Sequence, residues 1–173
     1  MSKDVSFIRE REQVLLLAGV EGREILDIGA GPLARIAVSR HDCFVTSVDT
    51  SKEALEQAEQ DAVEHGVAEK ISFEQEDAAD LSYGDETFDI GICFCALHHI
   101  PEDLREAVVR ELFRVVYERM VIAEFTPEGF GEFHADSSHA PVDLAWLEAV
   151  LAGLGEVSVH PLGTINAYVI RKR

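Results

Sequence analysis

Short, nearly continuous apolar runs alternate along this chain with longer stretches in which apolar residues recur every three or four positions. The runs at 24–29, 44–49, 71–76, 88–95 and 120–125 read as strands buried on both faces. The periodic stretches predict helices over 6–20, 32–40, 51–65, 101–116 and 143–153. In the first of these, Phe7, Ile8, Val14, Leu15, Leu17 and Val20 form the apolar face, with Arg9, Glu10, Arg11 and Glu12 solvated. Pro32 and Pro101 sit where a first helical turn lacks nothing by losing an N–H. Thr50-Ser51-Lys52-Glu53 has the form of a capping box with Thr50 at the N-cap. Residues 126–142, with Pro127, Gly129, Gly131 and Pro141, read as the longest loop, and Asp143 as the cap of the helix after it. Runs at 156–162 and 165–171, joined through Gly163-Thr164, must be antiparallel because the link is so short.

An initial helix, five strand-led units and a terminal hairpin predict an α/β fold. Its sheet is doubly wound, mostly parallel and seven-stranded, with an antiparallel C-terminal hairpin. The pattern shows no repeat or second domain, so residues 1–173 are expected to form one domain. The first strand runs into Gly29-Ala30-Gly31 and then a helix, a turn that brings backbone N–H groups and a helix N-terminus toward an anion or nucleotide. Asp49 closes the second strand, where a carboxylate can hold a ribose diol. The spacing Gly29-x-Gly31-x-x-Ala34 also satisfies the dinucleotide fingerprint. In a doubly wound sheet Gly29, Asp49, Asp77 and Phe94-Cys95 converge on one crevice at the carboxyl ends of the strands.

Composition narrows the classes. The net charge of −18 over 173 residues repels phosphate backbones and disfavours a nucleic-acid substrate. No apolar run approaches the roughly 18–20 residues of a membrane span, and the first residues carry no signal-peptide pattern, so a cytoplasmic location without membrane partners is expected. Cys43, Cys93 and Cys95 read as reduced thiols, and their spacing is not that of a metal site.

Leu26-Asp27-Ile28-Gly29-Ala30-Gly31, Val48-Asp49-Thr50-Ser51, Glu76-Asp77-Ala78, and Phe88-Asp89-Ile90 through Leu97-His98-His99-Ile100 together resemble the four ordered motifs of the class I S-adenosylmethionine-dependent methyltransferases. The terminal hairpin is also similar to that family. The resemblance covers essentially the whole chain and implies a Rossmann-like methyltransferase fold with S-adenosylmethionine as cofactor. It implies that Gly29, Ala30 and Gly31 lie against the methionine part and that Asp27 orients the turn or the cofactor's amino group. By the same resemblance Asp49, with Thr50 beside it, holds the ribose, Asp77 and Ala78 face the adenine, and Phe94 and Cys95 lie near the amino-acid end. Pro32-Leu33 departs from the family, many members of which have a third glycine there.

Methyl transfer needs an aligned nucleophile and, where it carries a proton, a base. His98 and His99, just after the fourth strand, are the candidates for that base, against the reading that either packs structurally under the sheet. Glu124, His134, Asp136 and His139 gather around the 126–142 loop, but the spacing of His134 and His139 is not that of one helical face, and no metal is expected. Phe125, Phe130, Phe133 and Trp146 read mainly as core. The acceptor pocket is expected between the first helix, residues 96–101 and the 126–142 loop. Without a lid, this frame suits a small-molecule acceptor, or a homodimer or partner protein that completes the site. Two other classes stay open: a methyltransferase-like binding or regulatory subunit without catalysis, and a nicotinamide-dependent oxidoreductase, which predicts a parallel final strand.

Overall fold

A computed structural model describes residues 3–135 and 138–172. Five parallel strands, β1 (Glu24–Ile28), β2 (Phe44–Asp49), β3 (Ile71–Gln75), β4 (Phe88–Phe94) and β5 (Val116–Phe125), are followed by the antiparallel pair β6 (Val157–Leu162) and β7 (Ile165–Arg171). The strand order is β3-β2-β1-β4-β5-β7-β6. The winding reverses between β1 and β4, which pair directly from Ile25 against Ile90 to Ile28 against Cys93. β7 runs antiparallel to β5, against the parallel final strand of the nicotinamide reading.

Alternation along the strands divides the core. Ile25, Ile90, Ile92, Phe94 and Val121 face α1 (Lys3–Ala18), α2 (Pro32–Arg40) and α3 (Lys52–Glu64). Leu26, Ile28, Cys93, Met120 and Ile122 face α4 (Arg105–Val115) and, beyond it, a helix at 144–152. Both faces are covered, which is why the central strands read as unbroken apolar runs. All three cysteines are free thiols, as expected. No helix among the described residues is long and apolar enough to cross a membrane.

Four local expectations are corrected. The cap of α3 is Ser51, whose Oγ accepts from the Ala54 N–H at 3.2 Å, and Thr50 lies one residue outside. Pro101 leads first into a single 3-10 turn, Glu102–Leu104, before α4 begins. The 126–142 segment is not all loop: it holds α5 (Pro127–Phe133), with α6 (Leu144–Ala152) following. Thr126 Oγ1 caps α5 by accepting from the Gly129 N–H at 3.0 Å. Gly129 marks a close approach, because a Cβ there would collide with the Thr164 carbonyl of the β6–β7 turn. Finally, Glu10 and Arg11 are not on a solvated face. Glu10 is 4 % exposed, and its Oε1 accepts from the N–H (3.0 Å) and hydroxyl (2.7 Å) of Thr164, tying α1 to the terminal hairpin.

Candidate active site

A cleft of about 580 Å³ opens at the carboxyl ends of β1 and β4, where the winding reverses. Its wall contains every residue singled out for the cofactor: Asp27, Gly29, Ala30, Gly31, Asp49, Thr50, Asp77, Ala78, Phe94 and Cys95. It also contains Phe7 and Arg11 of α1, Ala96 and His98 to Ile100, and Phe125 and His134, so the three segments expected around the acceptor meet here.

The glycine turn is held by hydrogen bonds that begin in β2. The Gly29 N–H donates to the Val48 carbonyl at 2.8 Å. Gly29 has φ +95°, in the left-handed region that favours glycine, and a Cβ there would press on the Ala96 Cβ at 3.1 Å. Gly31 differs: its φ of −160° suits any residue, and a Cβ on it meets nothing within 4 Å, because it projects into open space. Asp49 joins the two strand ends. Its Oδ2 accepts from the Ala30 N–H at 2.9 Å and its Oδ1 from the Ser51 N–H at 2.8 Å. Each oxygen keeps further acceptor capacity. Asp77 Oδ1 accepts from the Ala79 N–H at 2.9 Å, which turns the chain so that Ala78 is buried against the cleft.

Asp27 lies beneath the turn, 2 % exposed, with Ser47 Oγ donating to it at 3.4 Å. Burial pushes its carboxyl up to about 8, aided by Asp49 and opposed by the Ser47 hydrogen bond and the Arg11 charge. Asp27 is therefore neutral in the free protein through most of the physiological range. The raised value stabilises the fold below the unfolded carboxyl range near pH 4, an advantage that fades as pH rises toward 8. Asp27→Asn should thus gain on the wild type between pH 5 and pH 8, by up to about 1.4 kcal/mol per pH unit. Urea midpoints at the two pH values measure this, and equal pH slopes would contradict it.

The pattern of polar positions gave no hint of the role of Arg11. Its guanidinium lies over the Phe7 ring (4.4 Å to the centroid) and the Phe94 ring (5.1 Å), and its buried Nε has no hydrogen-bond partner. A cation held between two rings, with a donor to spare, faces the same end of the cleft as Phe94 and Cys95. Cys95 itself has φ +47°, a strained position for a residue with a side chain, and its N–H is fixed by the Ala123 carbonyl at 2.8 Å.

At the other side of this end the two candidate bases differ sharply. His98 is 3 % exposed, and its Nδ1 meets Glu124 Oε1 at 2.8 Å. Glu124 is fully buried and also accepts from the N–H groups of His98 (3.3 Å) and Phe125 (3.1 Å). Pairing with the Glu124 carboxylate favours the tautomer with its proton on His98 Nδ1, and Nε2 is buried without a partner. Arg105, unremarked in the sequence, holds the turn from below through the carbonyls of Ile100 (3.0 Å) and His98 (3.4 Å). His99 is exposed, and burial of its inner edge with the neighbouring imidazoles pushes it down to about 4. His134 packs edge-on to His98 at 4.7 Å between centroids, and its Nδ1 is also buried without a partner. His139 Nε2 lies 3.3 Å from His99 Nδ1. Phe125, Phe130 and Phe133 form the apolar wall behind these rings together with Phe7, whereas Trp146 packs on the opposite face of the sheet. Asp136 lies outside the described residues.

Comparison with known proteins identifies the frame. A family model described as a methyltransferase domain matches residues 25–119, from β1 into β5. The chain belongs to the class I S-adenosylmethionine-dependent methyltransferases. Among methyltransferase relatives, 27-O-demethylrifamycin SV methyltransferase of Amycolatopsis mediterranei is 34% identical over 109 residues, covering 60% of this chain and 39% of that protein. The uncharacterized methyltransferase YcgJ of Bacillus subtilis is 35% identical over 136 residues, covering 74% of this chain and 53% of that protein. The chain thus spans about half the length of these relatives or less. Magnesium protoporphyrin IX methyltransferase of Synechocystis, solved with bound SAH, superposes with a TM-score of 0.76 at 17% identity, over 98% of this chain and 84% of the other. At that identity the methyltransferase likeness is one of fold.

Proposed function

We propose that this chain transfers a methyl group from S-adenosylmethionine to a small-molecule acceptor, as one domain spanning residues 1–173, in the cytoplasm. The observation that carries the reading is a cleft that joins the glycine turn, the Asp49 strand tip and the Asp77-Ala78 turn to a histidine-lined end. Its volume lies within the usual range for ligand pockets, about 300–1,000 Å³. Two features of the wall support the cofactor. Open space stands where a Gly31 side chain would be, and the Arg11 guanidinium has an unsatisfied donor.

In this reading Asp49 accepts from the ribose hydroxyls, Thr50 lies beside it, and Asp77 with Ala78 borders the adenine. Gly29, Ala30 and Gly31 let the methionine part approach the backbone. Arg11 pairs with its carboxylate near Phe94 and Cys95, and neutral Asp27 keeps the turn in place. The bound cofactor supplies an electrophilic methyl carbon. The chain's part is to align the acceptor, exclude water with Phe7 and Phe125, and take up a proton. His98 Nε2 is the atom suited to that, since Glu124 fixes the opposite tautomer and stabilises the imidazolium formed. His99, more exposed, orients the acceptor.

Gly31→Val tests the cofactor's place. It should lower the melting temperature only modestly, through a weaker N-cap of α2, since neither backbone nor core is strained, yet abolish detectable cofactor binding by filling the cleft. Gly29→Ala should instead lower stability by about 1–2 kcal/mol, the cost of a left-handed residue. Wild-type cofactor affinity in Gly31→Val would place the ligand elsewhere. The acceptor class is tested with methyl-labelled S-adenosylmethionine and a cell extract freed of macromolecules. Label should appear in the small-molecule fraction. Label transferred only when macromolecules are restored would contradict a small-molecule acceptor.

A further inference from the structure

Three imidazoles from two separate chain segments converge at the end of the cleft. One ring nitrogen each of His98, His99 and His134 lies within 4.8 Å of the others. We propose that these three residues bind a divalent transition-metal ion of borderline softness, zinc being the type. This goes against the expectation from spacing, which compared only His134 with His139.

Three independent observations point to a ligand. First, His98 Nε2 and His134 Nδ1 are both buried and both lack a partner. An unpaired buried nitrogen is costly, and two of them in edge-to-face rings 4.7 Å apart share one unmet need. Second, the supporting groups are those that orient metal-bound histidines. Glu124 engages His98 Nδ1 and leaves Nε2 outward, the carboxylate–histidine arrangement that fixes tautomer and ring angle. His139 engages His99 Nδ1, and Arg105 fixes the His98 and Ile100 carbonyls. Third, the dimensions are close. Two nitrogens at 2.0–2.1 Å from a tetrahedral ion stand about 3.3–3.4 Å apart, so no pair needs to close by more than about 1.4 Å.

The donor set selects the ion. Three imidazoles suit zinc, cobalt, nickel or ferrous iron, whereas magnesium and calcium demand oxygen ligands. Three protein ligands leave a fourth position open toward the cleft, as in catalytic rather than structural zinc sites. On the reading that this end of the cleft receives the acceptor, the open position takes an oxygen of a hydroxyl-bearing acceptor. With the ion bound, the hydroxyl's pKa would be lowered and its proton would pass to solvent; in the metal-free chain that proton goes to His98 Nε2.

The test uses the full chain, stripped with chelator and titrated with cobalt(II) as the probe by calorimetry and visible absorption. One equivalent should bind saturably with a tetrahedral cobalt spectrum. His134→Ala and His99→Ala should each weaken binding at least about 10-fold, and Glu124→Gln about 10–100-fold. His134 follows the end of α5 and His99 is exposed, so those two variants keep the core intact. A thermal melt of each confirms folding. Unsaturable binding, or unchanged affinity in both histidine variants, would overturn the proposal and leave the ion to His41, His65 or His160. Titration of the metal-free chain with S-adenosylhomocysteine separates the two readings. Binding of the homocysteine compound without cobalt binding rejects the metal site alone. Cobalt binding without it keeps the metal site and rejects the cofactor reading.

Discussion

Asp49→Ala is expected to lower affinity for S-adenosylmethionine by about 10²–10³-fold. Two effects combine. The carboxylate offers charged acceptors to a ribose diol, and hydrogen bonds to charged groups contribute about 1.5–3 kcal/mol each. It also bonds the Ala30 and Ser51 N–H groups, so its loss loosens the glycine turn and the start of α3 together. Asp49→Asn separates the two, since its amide oxygen can keep one of those bonds while the charge is lost. Its affinity should fall between wild type and Asp49→Ala. Equilibrium dialysis with labelled cofactor measures all three. Wild-type affinity in Asp49→Ala would remove Asp49 from the site.

The largest effect on stability is expected from Glu124→Ala. The carboxylate is fully buried and serves three donors, the His98 side chain and the N–H groups of His98 and Phe125. Truncation removes this acceptor from all three in a dry environment. Each buried donor left unsatisfied typically costs about 1–3 kcal/mol. Glu124→Gln keeps the shape and one acceptor and should cost about 1–2 kcal/mol. Denaturant midpoints at pH 7 rank the three proteins. A midpoint for Glu124→Ala equal to the wild type would mean that His98 is held by something else. The same pair explains why His98 combines roles that the sequence reading had set against each other. It is buried and held by a carboxylate, and it lines the cleft with an Nε2 that has no partner.

The central frame was legible because doubly buried strands leave continuous apolar runs, and because the turn and strand tips carry their chemistry within a few adjacent residues. Gly29 to Gly31, Asp49 and Asp77-Ala78 could therefore be placed before any coordinate was known, and the short link at Gly163-Thr164 dictated the antiparallel end. What escaped depends on contacts between distant segments. Glu10 and Arg11 look solvated on an isolated helix, and only the arrival of the terminal hairpin and the β4 end encloses them. The density of proline and glycine at 127–131 masked α5, where Gly129 answers a close approach to Thr164 rather than a loop. The histidine cluster joins residues 98–99 to residue 134, a distance no spacing rule spans. Arg105, fixing the carbonyls of His98 and Ile100, had no signal beyond its place in a helix.

The decisive measurement is calorimetric titration of the full chain with S-adenosylhomocysteine, with a nicotinamide dinucleotide as control. One equivalent binding with micromolar affinity, and no heat from the dinucleotide, is the expected result. No binding of the homocysteine compound under conditions where the chain is folded would contradict the assignment of the cleft as the cofactor site.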